Sequence, residues 1–282
     1  MERDILSKRD NVEPEEYPEF SQYVEAINNS YWIHTKWRFT SDISDYNNKL
    51  TVIEKPITVR TMICVSQIEV KVKTFWPDIY DIFPKPEINS IGITFGESEV
   101  RHERGYKQFP KLLGLEKEFE NAMNVPAIKN RVAYLNKCLQ YSKSKDIKKY
   151  LTSLALFTLL IENASLFGQF AIIKMMNFKR NVLKDTDNLI MDTTKEENIH
   201  ALFGMHLLTI VREEHPELFD EDFNENLENY KIHKKVIHVE KTIGIIISKN
   251  EGVKFYIPFF QLSLMNNQLI VLEGIIHTNL KL

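Results

Sequence analysis

Glycine and proline are both scarce in this chain, at 9 and 10 in 282 residues. An all-β fold with many tight turns needs more of both, so the shortage points to long helices. Cysteine is scarcer still. Cys64 and Cys138 are the only two, which excludes a disulfide framework and a four-cysteine zinc site. Neither sign of charge dominates, with 36 Lys+Arg against 39 Asp+Glu and a formal net charge of −3. That balance offers no basic face for nucleic acid and no acidic excess of the kind that keeps a chain disordered. The opening MERDILSKRDNVEPEEYPEF has no apolar run, so it is not read as a signal peptide, and a cytoplasmic protein is expected. Internal repeats and low-complexity segments are lacking as well. What the sequence has in quantity is hydrophobic residues, 43 % of the total, enough for a substantial core.

Residues 1–20 are charged and carry Pro14 and Pro18, which suits an extended arm over the surface. The pattern predicts a helix from Phe20 to Tyr31, and Thr40–Tyr46 (TSDISDY) reads as a turn whose Ser and Asp residues are candidate N-caps. Residues 57–75 (ITVRTMICVSQIEVKVKTF) are rich in β-branched side chains, which favours a strand by propensity. Their length without a turn signal, and apolar spacings of three and four, tip the reading to a helix. Pro84 and Pro86 break the chain before a second long helix at 88–114. Further helices are expected between Pro126 and Ser142, and over 193–213 ahead of Pro216. Residues 147–178 are the most apolar, and from Leu151 to Ile173 only Glu162 is charged. That run is long enough to span a membrane. Thr152, Ser153, Thr158, Glu162, Asn163, Ser165 and Gln169 interrupt it, so a buried bundle helix with no membrane contact is expected.

Two segments place a glutamate three residues before a histidine: Glu99-Val-Arg-His102 and Glu197-Asn-Ile-His200. On a helix these positions share a face, so each pair offers a carboxylate and an imidazole to one point. Any single pair of this kind is usually a solvated surface pair. Glu69 and Glu162, however, sit in apolar helical sequence, where an ionised carboxylate is costly unless paired or metal-bound. In order, the chain offers Glu69, Glu99-x-x-His102, Glu162 and Glu197-x-x-His200 on four separate expected helices. This is the ligand set of ferritin-like di-iron and di-manganese carboxylate bundles. Four carboxylates with two neutral imidazoles carry a charge that two divalent cations balance. Oxygen-rich ligation with one imidazole per metal suits Fe or Mn better than Zn or Cu. The expected fold is therefore all-α, a ferritin-like helical bundle with a dinuclear metal site between four long helices.

Four segments carry a resemblance to a known family: SQIEVKVKTFW (66–76), FGESEVRHERGY (95–106), IENASLFGQF (161–170) and KEENIHALFG (195–204). In order and spacing they resemble the small, radical-generating subunit of class I ribonucleotide reductase, over about residues 20–235. The resemblance implies that Glu69, Glu99 and His102 bind chiefly one metal, with Glu162, Glu197 and His200 supplying the second metal and the bridges. Tyr106, four residues after His102, matches the family's radical-bearing tyrosine; a packed core tyrosine is the alternative. Trp32 in NSYWIHTKW matches the tryptophan beside the cluster, with Trp37 close by, and Glu196 matches the acid that links it to the metal histidine. A Trp32–Glu196–His102 chain would then carry an electron and a proton out of the site.

The family usually has Asp where this chain has Glu69. In that respect, and in IEVKVKTFW with SEVRH, the chain looks like the subgroup called class Id. That resemblance implies two Mn ions, oxidised by superoxide and storing the oxidising equivalent themselves, so that Tyr106 is a bystander. Two Fe ions or a mixed Mn/Fe pair, activated by O2, are the alternative. The implied function is that of a ribonucleoside-diphosphate reductase small subunit, a homodimer that delivers a radical to a cysteine of the large (alpha) subunit, with no nucleic-acid partner. A stand-alone di-metal oxidase or desaturase, or a ferritin-like storage protein, is the rival on the same scaffold. Three regions are expected: the arm at 1–20, the metal-binding domain at 21–242, and an atypical apolar segment at 243–282. That last stretch lacks the family's polar, tyrosine-bearing tail, which suggests a truncation or a change of reading frame near residue 242.

Overall fold

The computed structural model describes residues 3–158, 161–162 and 166–229. The expected segment 243–282 lies outside the described residues. Among the described residues ten α-helices follow one another: α1 Ser21–Ser30, α2 Thr40–Asn48, α3 Glu54–Val72, α4 Pro86–Leu112, α5 Glu116–Asn121, α6 Pro126–Cys138, α7 Ile147–Leu156, α8 Phe167–Arg180, α9 Lys184–Glu214 and α10 Glu221–Asn229. There is no strand among the described residues. The ambiguous β-branched stretch is helical because α3 is buried along most of its length, so tertiary packing overrides strand propensity. It also starts at Glu54 and not at 57, where Thr51 and Glu54 form a capping box: the Glu54 amide donates to Thr51 Oγ1 (3.2 Å) and the Thr51 amide to Glu54 Oε2 (2.8 Å).

Two expectations need correction. Thr40–Tyr46 is not a turn but most of helix α2, and its aspartates do not cap it. Asp42 and Asp45 are buried, and they cap the start of α9 instead. Asp42 accepts from the Asp185 amide (3.1 Å), the Thr186 amide (2.7 Å) and the Thr186 hydroxyl (2.7 Å), and Asp45 accepts from the Leu183 amide (3.0 Å). Asp185 returns the bond by accepting from the Phe39 amide at the start of α2 (2.8 Å). Both helices enter through a left-handed residue, Phe39 (φ 56°) and Leu183 (φ 59°). This long-range cap is why α9 begins at Lys184, well ahead of residue 193.

The apolar run at 147–178 is likewise not one helix. It is α7, then a π-helical stretch at 157–158 and 161–162, then α8. Gly204 on α9 makes room for that stretch: a Cβ there would overlap the Thr158 side chain. No described helix is long and apolar enough to cross a membrane.

In the bundle α3 packs along α4, α8 against α3 and α9, and α9 against α4 and α7. The described N-terminal residues 3–20 are pinned at both ends of this frame, with Ile5 and Tyr17 buried. Fully buried Lys85 pairs with Glu16, and Arg9 pairs with Glu87 at the first turn of α4. Glu214, the last residue of α9, accepts from the Ile5 amide (2.8 Å) and the Tyr17 hydroxyl (2.8 Å).

Candidate metal centre

The bundle turns one face of each ligand-bearing segment inward. Glu69 comes from α3, Glu99 and His102 from α4, Glu162 from the π-helical stretch, and Glu197 and His200 from α9. All six are buried. The expectation of a long helix beneath each acid holds for α3, α4 and α9, whereas Glu162 sits on an irregular turn of the kind often found at functional sites.

Ligand-capable atoms fall into two groups, Glu69–Glu99–His102–Glu197 and Glu99–Glu162–Glu197–His200, each with its atoms within 4.8 Å of one another. Glu99 and Glu197 belong to both. Nδ1 of His102 lies 2.9 Å from Glu99 Oε2 and 3.1 Å from Glu197 Oε1. Nδ1 of His200 lies 3.0 Å from Glu99 Oε1 and 3.3 Å from Glu197 Oε2.

The outer ring nitrogens have partners of their own. Nε2 of His102 is 2.7 Å from Glu196 Oε2. Nε2 of His200 is 2.9 Å from Ser98 Oγ, and that hydroxyl donates to the Phe95 carbonyl (2.7 Å), so its oxygen accepts from the imidazole. The outer nitrogen of each ring is thus taken up, which leaves Nδ1 as the inward ligand atom once a metal displaces its proton.

Inside the cluster, by contrast, polar atoms go unpaired. Both oxygens of Glu69 and of Glu197, Glu99 Oε1, Glu162 Oε2 and His200 Nδ1 have no hydrogen bond among the described residues. Buried oxygens without hydrogen bonds are expensive, and here they converge from three helices and a π turn. The donor set, four carboxylates and two imidazoles, fits a dinuclear metal centre.

Proton affinities of the bare site record the same strain. Burial, reinforced by the Glu99 and Glu197 charges, pushes the carboxyls of Glu69 and Glu162 well above the usual range. Burial also opposes charge on Glu197 and Glu99, yet the neighbouring histidines hold both below it. His102 and His200 are correspondingly raised despite burial, by Glu197 and Glu99 respectively.

The three further residues singled out from sequence lie at or beside the cluster. Tyr106 is fully buried, its ring 6.4 Å from that of His102. Burial and the Glu69 charge hold its hydroxyl protonated. That hydroxyl is near Thr193 without hydrogen-bond geometry, and Thr193 donates to the Leu189 carbonyl (3.1 Å). Glu196 meets His102 at Nε2. Trp32 does not meet Glu196: its indole Nε1 has no hydrogen-bond partner among the described residues. Its ring instead stacks on His102, with centroids 5.7 Å apart and planes at 14°. The carboxylate is taken up by Arg101, whose Nη1 donates to Glu196 Oε1 (2.9 Å), with Ser30 donating to the same oxygen (3.2 Å).

Sequence reasoning missed several side chains here. Arg101, Ser98 and Ser30 are ordinary polar residues until the fold closes around them. Trp76 was visible within SQIEVKVKTFW without a role; its Nε1 donates to Glu162 Oε1 (2.9 Å).

The family is shown by direct comparison. The model for "Ribonucleotide reductase, small chain" matches residues 9–259, and the chain belongs to that family. A chain of Invertebrate iridescent virus 3, described as a ribonucleoside-diphosphate reductase small subunit, is 22 % identical over 220 residues, covering 73 % of this chain. This chain spans 58 % of the length of that viral relative, a little over half. A second such subunit, from Invertebrate iridescent virus 6, is 20 % identical over 268 residues, covering 87 % of this chain and 72 % of its own length. Among solved structures, the R2 subunit of ribonucleotide reductase from Clostridium botulinum superposes with a TM-score of 0.80 at 14 % identity, covering 93 % of this chain and 82 % of that one. An R2-like ligand-binding oxidase with a Mn/Fe cofactor gives 0.74 at 14 % identity, covering 93 % of each. At such identities the two structures speak for the fold, ferritin-like and all-α.

Proposed function

We propose that this chain is the radical-generating small subunit of a class I ribonucleotide reductase, an oxidoreductase component that turns over nothing alone. The observation that carries this reading is the pair of buried ligand groups sharing Glu99 and Glu197 in a chain of the small-chain family. Glu69 and His102 would hold one metal and Glu162 and His200 the other, with Glu99 and Glu197 between them. When bound, the metal pair supplies one-electron oxidising power.

The chain's own residues set the conditions. Glu196 and Ser98 hold the outer N–H of each histidine, so that Nδ1 is the atom aimed inward. Trp76 anchors Glu162. Phe95, Trp76, Phe157 and Phe203 form an aromatic wall that excludes water. His102 and the Trp32 ring stacked on it give a route outward, toward a cysteine of a large subunit that holds the ribonucleotide. Two copies of this chain would form the functional homodimer.

For the metal we propose a dimanganese pair activated by superoxide, with the oxidising equivalent kept on the metals. Glu69 in place of the usual Asp supports this. So does Tyr106: losing an electron from a tyrosine requires a proton acceptor, and its hydroxyl makes no hydrogen bond to one among the described residues. A second reading, a ligand-binding oxidase needing no large subunit, draws on the fold likeness to the Mn/Fe oxidase.

The test is metal content and EPR after loading with Mn(II) and exposure to superoxide. Two Mn per chain, a coupled-manganese multiline signal and no tyrosyl signal support the proposal, together with deoxyribonucleotide formation that requires an added large subunit. A narrow tyrosyl signal after Fe(II) and O2 restores Tyr106 as the radical site, and failure to bind two metals per chain removes the central claim.

A further inference from the structure

We infer that Arg101 is a positioning residue for this centre, one guanidinium that fixes the Glu196 carboxylate on His102 and the Trp32 ring against the same imidazole. The inference rests on the reading of His102 as a metal ligand and adds what sets its outer side. Arg101 is 4 % exposed, on α4 immediately before His102. Its Nη1 donates to both Glu196 oxygens (2.9 and 3.1 Å) and to the Trp32 backbone carbonyl (3.2 Å). Nε donates to Glu97 Oε2 (2.7 Å), which orients the guanidinium plane from the other side. The same group lies over the rings of Tyr31 (4.7 Å) and Trp32 (5.3 Å).

Hydrogen-bond capacity shows what this arrangement decides. Glu196 Oε1 already accepts from Arg101 and Ser30, and Oε2 from His102 and Arg101. Both oxygens are thus committed, and the Trp32 N–H is left without a partner among the described residues. The ring is held through its face and its backbone, parallel to His102, and not through its edge. The planar guanidinium reaches Glu196 and the Trp32 carbonyl through Nη1 and Glu97 through Nε; a lysine would keep the charge but not that span, nor the stacking on the rings.

The experiment uses the full-length protein, with Arg101→Lys and Arg101→Gln each made alone and together with Glu196→Gln. The first readout is Mn(II) affinity and stoichiometry. The second, in metal-free protein, is the 15N–1H indole resonance of Trp32, assigned by its loss in Trp32→Phe. Both Arg101 variants are expected to weaken Mn(II) binding by about 10- to 100-fold, the usual cost of losing a group that orients a ligand. The Trp32 resonance should shift while those of Trp37 and Trp76 stay put. In the Glu196→Gln background the Arg101 changes should cost less than about threefold more, because their effect passes through that carboxylate. Wild-type affinity and an unmoved Trp32 signal in Arg101→Lys would overturn the inference, since charge alone would then suffice. Fully additive losses would overturn it too, as the mark of a merely structural ion pair. If the wild type binds no metal pair, the functional reading fails separately, and the indole resonance still tests the Arg101 arrangement.

Discussion

Glu99 and Glu197 each reach both histidines: one oxygen of each lies within 3.1 Å of His102 Nδ1, and the other within 3.3 Å of His200 Nδ1. They are the only two residues common to both ligand groups, so they stand where bridging carboxylates would. Glu69 and Glu162 each belong to one group only.

This asymmetry predicts unequal losses. Glu99→Ala or Glu197→Ala should abolish tight binding of both metals. Glu69→Ala should spare one, leaving close to a single Mn per chain after desalting. Elemental analysis of the loaded variants decides it, and equal losses in all of them would contradict the bridging assignment.

Metal removal should leave a pH-sensitive protein. His102 and His200 have raised folded-state pKa values, so their stabilising contribution is whole below the unfolded value of about 6.5 and fades as pH climbs through the folded values. The raised carboxyls of Glu69 and Glu162 act with the same sign, from about 4.3 upward. Bound Mn(II) displaces those protons, so its affinity should rise with pH. Thermal melts between pH 6 and 9 should show the gap between loaded and metal-free protein widening with pH; a constant gap would refute the account.

Asp42→Ala removes three hydrogen bonds at the entrance of α9. A loss of roughly 2–3 kcal/mol is expected from urea unfolding. The metal ligands lie several turns further along α9, so Mn(II) stoichiometry should not change.

Tyr106→Phe deletes a buried hydroxyl that makes no hydrogen bond among the described residues. Its cost should stay within about 1 kcal/mol of zero, with either sign. Metal loading should be intact. The coupled-manganese EPR signal should survive if the oxidising equivalent stays on the metals, and its disappearance would return the tyrosine to the mechanism.

Gly204→Ala sets a methyl group into the Thr158 side chain and so moves the π turn that carries Glu162. The expected result is weaker binding at one metal position, with the other retained. Unaltered affinity at both would show that the turn yields without cost.

Much of this site was legible because its ligands repeat at helical spacing. Glu99-x-x-His102 and Glu197-x-x-His200 fix their own faces, and Glu69 and Glu162 betray themselves as acids in apolar sequence. Periodicity gives each Glu–His pair one helix face, whereas the convergence of those faces is a property of the bundle, and Glu162 joins it from a π turn. What escaped depends on partners remote in sequence. Asp42 looked like a local cap because its true partner, Thr186, is 144 residues away. The break in the 147–178 run depends on a missing side chain at Gly204, on another helix. The expected Trp32–Glu196 bond failed for a similar reason: Arg101, adjacent to a ligand and unremarked in sequence, reaches the carboxylate first.

The N-terminal arm, residues 3–20, has an implication for the order in which the molecule can be made. Its anchors are Glu87 and Glu214, the latter 197 residues beyond Tyr17 in the chain. During synthesis the arm leaves the ribosome well before Glu214 does and waits for it. Ile5 and Tyr17 stay without their final partner until the far end of α9 has left the exit tunnel. The arm is therefore made long before it can be locked, and its docking marks completion of the helix that carries Glu197 and His200.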